Sequence, residues 1–144
     1  MKVAIVKSNF YPDLSSGLFN GARQEFLDSG GLVENIKTFE VPGAFEVPSA
    51  VSKVLIHKSN YFDAVITLGI LVRGETDHYD HICRSVTDRI SELSIESPIP
   101  IVYGILTVTT IDQAIERSDP NKKNKGAEVM RAAIEMINCF KKIK

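Results

Sequence analysis

The sequence predicts an α/β fold: a four-stranded parallel sheet between two layers of helices, a three-layer α/β/α sandwich. Three observations predict it. Short β-branched apolar runs alternate four times with stretches of helical periodicity. Such alternation is what parallel strands joined by right-handed crossovers require. The clearest run, Asp63 to Gly69, is apolar almost throughout, as a strand covered on both faces must be. The chain has 144 residues, enough for one domain over 1–144 and too few for a second.

Composition excludes several function classes. Apolar residues make up 44% and charged residues 24%, ordinary globular usage rather than that of a disordered or fibrous chain. Lys and Arg number 17 against 18 Asp and Glu, a net charge of −1 without the basic excess of a nucleic-acid or membrane-surface protein. The apolar stretch Ala64 to Val72 is far short of the roughly 20 residues that span a bilayer. The opening run Val3 to Val6 is too short for a signal-peptide core. Cys83 and Cys139 lie in separate helical patterns without metal-ligand spacing, and read as reduced thiols of a cytoplasmic protein.

The elements follow in order. Val3 to Val6 is the first strand. Ser15-Ser16 is expected to cap a helix whose Leu18, Phe19, Ala22 and Phe26 share a face, stopped by Gly30-Gly31. Leu32 to Val41 is the second strand, closed by Pro42-Gly43. Ala44 to Leu55 fits a helix with Val47, Val51, Val54 and Leu55 inward, and Pro48 is tolerable only in its first turn. After the Asp63–Gly69 strand a helix runs from Thr76, with Tyr79, Ile82, Val86, Ile90 and Leu93 on one stripe. Ile99 to Leu106 is the fourth strand. Thr110-Ile111-Asp112-Gln113 is a capping box opening a short helix that ends near Arg117. The last helix carries Met130, Ala133, Ile134 and Ile137 inward, and its closing lysines suit the helix dipole.

A parallel sheet places chemistry in the crevice beyond the carboxyl ends of its strands. Those ends are Ser8 to Phe10, Val41 to Glu46, Gly69 to His78 and Thr107 to Thr110. The densest constellation is Gly69 to His78. Gly74-Glu75-Thr76 can cradle a phosphate on unpaired helix-start amides, Gly74 allowing close approach and Thr76 adding a hydroxyl. The plainer reading, favoured on spacing alone, is an ordinary helix start with Thr76 as N-cap. His78 can carry a proton in either direction near neutrality, or merely pack. Asp77, Asp80 and His81 sit beside it, but acidic residues at a helix start have a simpler explanation in the dipole, and no metal is expected. His57 ends a helix and reads as solvated. Arg117 can grip phosphate bidentately, and Lys125 starts the last helix; each alone is more simply a solvated charge. Phe10 can stack on a flat ring or belong to the core, and Glu46 can accept from a polyol or serve the helix dipole.

The residues are specific enough to compare with a family. Val41-Pro42-Gly43-Ala44-Phe45-Glu46-Val47-Pro48 resembles the VPGAFE[IV]P motif of lumazine synthases. Leu68 to Asp80 resembles their LGxVIRGETxHxD segment, and Pro100 to Thr107 their PVxFGVLT strand. Gln113 to Arg117 and Asn124 to Glu128 match QAxER and NKGxE, and Glu135-Met136 recurs near the end. The resemblance runs from about Phe10 to Met136 in the right order. It implies a flavodoxin-like fold and a reaction without cofactor. In it, 5-amino-6-(D-ribitylamino)uracil condenses with 3,4-dihydroxy-2-butanone 4-phosphate to 6,7-dimethyl-8-ribityllumazine, phosphate and water, the penultimate step to riboflavin.

The resemblance also implies roles. His78 is the proton donor and acceptor. Glu75, Thr76 and Arg117 hold the phosphate, with Gly74 and Lys125 in support. Phe10 stacks on the pyrimidine. Ala44, Phe45, Glu46, Ile70, Leu71, Val72 and Tyr103 line the ribitylaminouracil pocket, with Glu46 accepting from the ribityl hydroxyls. Glu128 orients His78. The sites lie between adjacent subunits of a pentamer, with Phe10 and His78 from one and Tyr103, Arg117 and Lys125 from the next. Riboflavin synthase is the pathway partner.

This sequence departs from the pattern in three places. Tyr11-Pro12 stands where an Asn is commoner, Asp77 replaces a Pro, Thr or Ser, and Thr87-Asp88-Arg89 lacks a glycine. Only nine residues precede Phe10, which favours a bare pentamer or a pair of pentamers over a shell. Ser118 to Asn124 carries no long insertion, which argues the other way. The rival functions are a flavin- or lumazine-binding module that has lost catalysis, and a shell protein. The first need not keep His78 and Arg117, and the second need not keep the rim at all; both residues are present.

Overall fold

The computed structural model describes residues 1–144. Its sheet is parallel throughout, and β1 (Val3–Ser8) lies between β2 (Ile36–Val41) and β3 (Ala64–Val72). All six residues of β1 are buried, with alternate side chains feeding two cores. Val3 and Ile5 face α1 (Pro12–Asp28), α4 (Ile111–Ser118) and α5 (Lys125–Ile143). Ala4 and Val6 face α2 (Val47–Lys58) and α3 (His78–Glu96). The three-layer sandwich is therefore as expected. No helix is long and apolar enough to cross a membrane.

The sheet has five strands where four are expected. The predicted Ile99–Leu106 strand is divided into β4 (Ile101–Val102) and β5 (Ile105–Val108), both paired with β3. Thr67 on β3 causes the break. Its hydroxyl donates to Val102 O at 2.9 Å and accepts from Gly104 N at 3.1 Å, taking up groups that an unbroken ladder would pair. The chain presses so close here that a Cβ on residue 104 would fall on the Thr67 carbonyl oxygen, so the position requires glycine.

Other boundaries shift for local reasons. Ser15 does not cap α1, which starts at Pro12 after Tyr11. Proline lacks the amide that a first helical turn leaves unpaired anyway. Ser15 instead lies buried inside the helix and donates to Ser8 O at 2.7 Å, lashing helix to strand. The expected start of the second strand is a 3-10 turn, Val33–Asn35. Ala44–Glu46 is likewise a 3-10 turn, which leaves Pro48 in the first turn of α2 where it is tolerated. Helix α3 begins at His78 rather than Thr76.

The Thr110 cap on α4 is present: its hydroxyl accepts from Gln113 N at 3.2 Å. The reciprocal bond is displaced by one residue, since Gln113 Oε1 accepts from Thr109 N at 2.9 Å. Helix α5 is capped by Asn124, whose φ of 49° is left-handed and whose side chain accepts from Ala127 N. It packs along α1 with Met130, Ala133 and Ile137 buried.

Candidate active site

Two cavities open near the carboxyl ends of the strands. The first, about 520 Å³, is walled by Phe10 and Tyr11 after β1, and by Pro42, Gly43, Phe45 and Glu46 after β2. Ile70, Leu71 and Val72 at the end of β3, Gly74 and Thr76 in the following loop, and His78, Tyr79 and Ile82 on α3 complete it. It is a mostly apolar slot with a carboxylate and an imidazole at its edge, the composition that suits a flat organic ring. Phe10 is 69% exposed and Phe45 58%, so neither is a core residue in one chain.

The second cavity, about 370 Å³, is lined by Tyr103 to Val108 and by Arg117, Lys123, Lys125 and Glu128. It is the cationic one. Arg117 Nη1 donates to Gln113 O at 3.3 Å and lies 3.9 Å from the Glu116 carboxylate, contacts too long to hold the guanidinium firmly. Lys125 Nζ is 2.6 Å from Glu128 Oε1.

Within one chain the candidate site residues fall into two groups. Phe10, Phe45, Glu46, Ile70 to Val72, Gly74, Thr76 and His78 share one cavity; Tyr103, Arg117, Lys125 and Glu128 share the other. Within one chain the Glu128 carboxylate pairs with Lys125 across one turn of α5. Ala44 lies behind the wall, 4% exposed among Val47, Val86 and Ile105 in the core. Glu75 is exposed on the loop beside the first cavity and is not among its lining residues. Thr76 Oγ1 accepts from His78 N at 3.3 Å, so it serves the helix start from one residue earlier than an N-cap would.

The loop between β3 and α3 is closed by a bidentate clasp. Arg73 Nη1 and Nη2 donate to Asp80 Oδ2 and Oδ1 at 3.1 and 2.8 Å, with the guanidinium 4.6 Å from the Tyr79 ring centroid. The Arg73 hydrogen bonds hold the Asp80 carboxyl below the usual aspartate range. A folded-state pKa below the unfolded one stabilises above the unfolded value and is lost as pH falls through the folded one. Arg73→Ala is expected to raise the Asp80 titration, read by carboxyl NMR. No three His, Cys, Asp or Glu side chains gather around His78 or elsewhere as a metal centre would need.

Several residues of the site escape the sequence reading. Tyr11 extends the aromatic wall, edge-on to Phe10 with centroids 5.0 Å apart. Pro42 and Gly43, within the rim segment Val41 to Glu46 but given no role there, also line the first cavity, as do Tyr79 and Ile82. Tyr11 and Tyr79 lie one residue beyond the rim segments, whereas Ile82 lies one turn into α3 and Lys123 in the loop before α5, beyond its reach. Thr87, flagged only for a missing glycine, bonds Tyr103: the two hydroxyls are 3.0 Å apart. Burial pushes the Tyr103 phenol up, and burial likewise raises the Cys83 thiol.

The sequence pattern of the 6,7-dimethyl-8-ribityllumazine synthase family matches residues 1–141. The chain belongs to that family. A 6,7-dimethyl-8-ribityllumazine synthase of Chlamydia caviae is 42% identical over 143 residues, covering 99% of this chain and 92% of the relative. Membership makes the chain an enzyme of riboflavin biosynthesis, a transferase performing the lumazine-forming condensation. Each motif that resembles lumazine synthases between Val41 and Glu128 contributes at least one residue to the wall of a cavity: Pro42 and Phe45, Ile70 to Val72 and His78, Tyr103 to Thr107, Arg117, and Lys125 with Glu128.

Proposed function

We propose that 6,7-dimethyl-8-ribityllumazine forms in a cleft shared by two copies of the chain, the first cavity of one closed by the second cavity of its neighbour. One observation carries the reading: each chain holds an aromatic slot and a cationic recess apart, although the reaction needs a flat ring and a phosphate in contact. A neighbour would also cover Phe10 and Phe45, which one chain leaves exposed.

In this cleft Phe10 stacks on the pyrimidine of 5-amino-6-(D-ribitylamino)uracil, and Glu46 accepts from the ribityl hydroxyls. Phe45 and the Ile70–Val72 strand end form the remaining wall, Ala44 supports it from behind, and Tyr103 enters from the neighbour. Gly74, Glu75 and Thr76 meet the phosphate of 3,4-dihydroxy-2-butanone 4-phosphate from one side. Arg117 and Lys125 of the neighbour meet it from the other. The amine attacks the ketone carbonyl and a first water leaves to give the imine; phosphate is then eliminated, and the ribitylamino nitrogen attacks the remaining carbonyl with loss of a second water to close the ring. His78 moves protons through these steps, and Glu128, reaching across from the neighbour, orients it. Holding two small molecules in contact supplies most of the acceleration.

Residues 1–144 act as one domain, and a ring of five copies, a pentamer, satisfies the head-to-tail pairing of unlike faces. Riboflavin synthase consumes the product. A cytoplasmic setting keeps Cys83 and Cys139, both free, reduced.

Subunit complementation tests the shared cleft. Glu46→Ala and Arg117→Ala each damage a different half. Unfolded together and refolded as a mixture, they are expected to recover about a quarter of parental activity through random pairing of intact halves. Lumazine fluorescence is the readout with both substrates supplied. No recovery above the separately refolded variants places the whole site in one chain and overturns the reading.

A further inference from the structure

We propose that Lys7, Asn9 and Glu40 form a lock that fixes Phe10 on the cavity wall and so sets the affinity for the pyrimidine substrate without touching it. The inference rests on the reading of Phe10 as the stacking platform.

The three side chains meet where β1 and β2 end side by side. Lys7 Nζ donates to Asn9 Oδ1 at 3.1 Å and lies 3.3 Å from Glu40 Oε1. Asn9 Nδ2 donates to Glu40 Oε2 at 2.7 Å, so each group touches both others. Lys7 is 8% exposed, in a strand whose other members are also buried. A lysine so placed needs its charge paired, and Glu40 with Asn9 supplies the partners. Asn9 and then Lys7 hold the Glu40 carboxyl below its usual range, in keeping with that pairing.

Asn9 is held twice. Its backbone amide also donates to Val41 O at 2.9 Å, continuing the β1–β2 ladder by one rung. The next residues along each strand are walls of the first cavity: Phe10 on one side, Pro42 and Gly43 on the other. Phe10 and Tyr11 are a two-residue turn between Asn9 and Pro12, where α1 starts. The Phe10 ring is mostly exposed, with Tyr11 as its aromatic neighbour. Its direction is therefore set by how firmly the turn is held at both ends. Proline fixes one end, and the lock fixes the other. A loosened turn must be reordered each time a ring stacks on it, which weakens binding of that ligand alone. The phosphate substrate, held by other residues, is spared.

The test is steady-state kinetics with each substrate varied in turn, joined to titration of the lumazine product by its fluorescence. Asn9→Ala and Glu40→Ala are expected to raise KM for 5-amino-6-(D-ribitylamino)uracil about five- to tenfold and weaken product binding alike. Changes in kcat and in KM for the phosphate substrate should stay within about twofold. Glu40→Gln keeps an acceptor for Asn9 but removes the counter-charge of Lys7, so its pyrimidine KM is expected to lie between the parent and Glu40→Ala. Phe10→Ala provides the ceiling. An unchanged pyrimidine KM in Asn9→Ala and Glu40→Ala, beside a raised one in Phe10→Ala, overturns the lock alone. An unchanged KM in Phe10→Ala removes the stacking reading and the lock with it. A parallel loss in kcat and both KM values marks general damage and also overturns the proposal.

Discussion

Replacing Arg117 with alanine is expected to raise KM for 3,4-dihydroxy-2-butanone 4-phosphate by about 10- to 100-fold, since a charge-assisted hydrogen bond contributes about 1.5–3 kcal/mol. The size follows from what Arg117 does within its own chain, which is little. Its bonds to Gln113 O and Glu116 are long, and a third of its side chain is exposed. The guanidinium is thus free to turn both faces of its fork to phosphate, and removing it leaves no buried partner stranded. Arg117→Lys keeps the charge and loses the fork, so its KM should fall between the two. His78→Ala is the contrast: kcat should drop by no more than about 10²-fold, the low end for general acid–base catalysis, because positioning dominates. Steady-state kinetics decides. A phosphate KM unmoved in Arg117→Ala removes Arg117 from the site, and a dead but folded His78→Ala reverses the ranking.

Gly126→Ala is expected to destabilise the fold by about 3 kcal/mol, at the top of the usual range for overpacking. Gly126 lies in the first turn of α5 where that helix crosses α1. A Cβ there would land on the Leu18 carbonyl oxygen, with the carbonyl carbon at 2.9 Å and Ala22 N at 3.0 Å. These are backbone atoms of a buried helix and cannot swing aside as a side-chain tip would. Thermal unfolding should show a midpoint lower by about 6–12 °C for a chain of this size. Gly74→Ala is the control, since a Cβ at residue 74 meets nothing within 4 Å. A midpoint for Gly126→Ala within about 2 °C of the parent would mean that α5 slides to make room, contrary to close packing.

The same glycine illustrates what a linear reading captures. Gly126 is visible in sequence as part of Asn124-Lys125-Gly126, but its reason is steric and lies on another helix. Local signals were legible: the apolar runs that became β1 and β3, the Thr110 cap, and the inward stripe of α5. Long-range ones were not. The break in the fourth strand comes from Thr67, which meets residues more than 30 positions away. Ser15 has the chemistry of a cap, yet Pro12 starts the helix first and the hydroxyl goes to Ser8.

The site divides in the same way. The rim rule found Phe10, Glu46, the Ile70–Val72 strand end and His78, since strand order suffices for that. Their separation from Arg117 and Lys125 depends on how far β5 and α5 stand from β2, which spacing along the chain does not encode. The pairing of Lys7 with Glu40 joins two strands 33 residues apart in the chain, and nothing local to either residue signals it.

The hydroxyl of Thr67 has a colloidal consequence. By splitting the outer strand into stretches of two and four residues, it denies other molecules a continuous row of free amides and carbonyls on which to grow a foreign sheet. The opposite margin, β2, is whole, but Lys37 and Glu40 stand exposed along it as charged gatekeepers. The fold is thereby guarded on both flanks against fibrillar stacking.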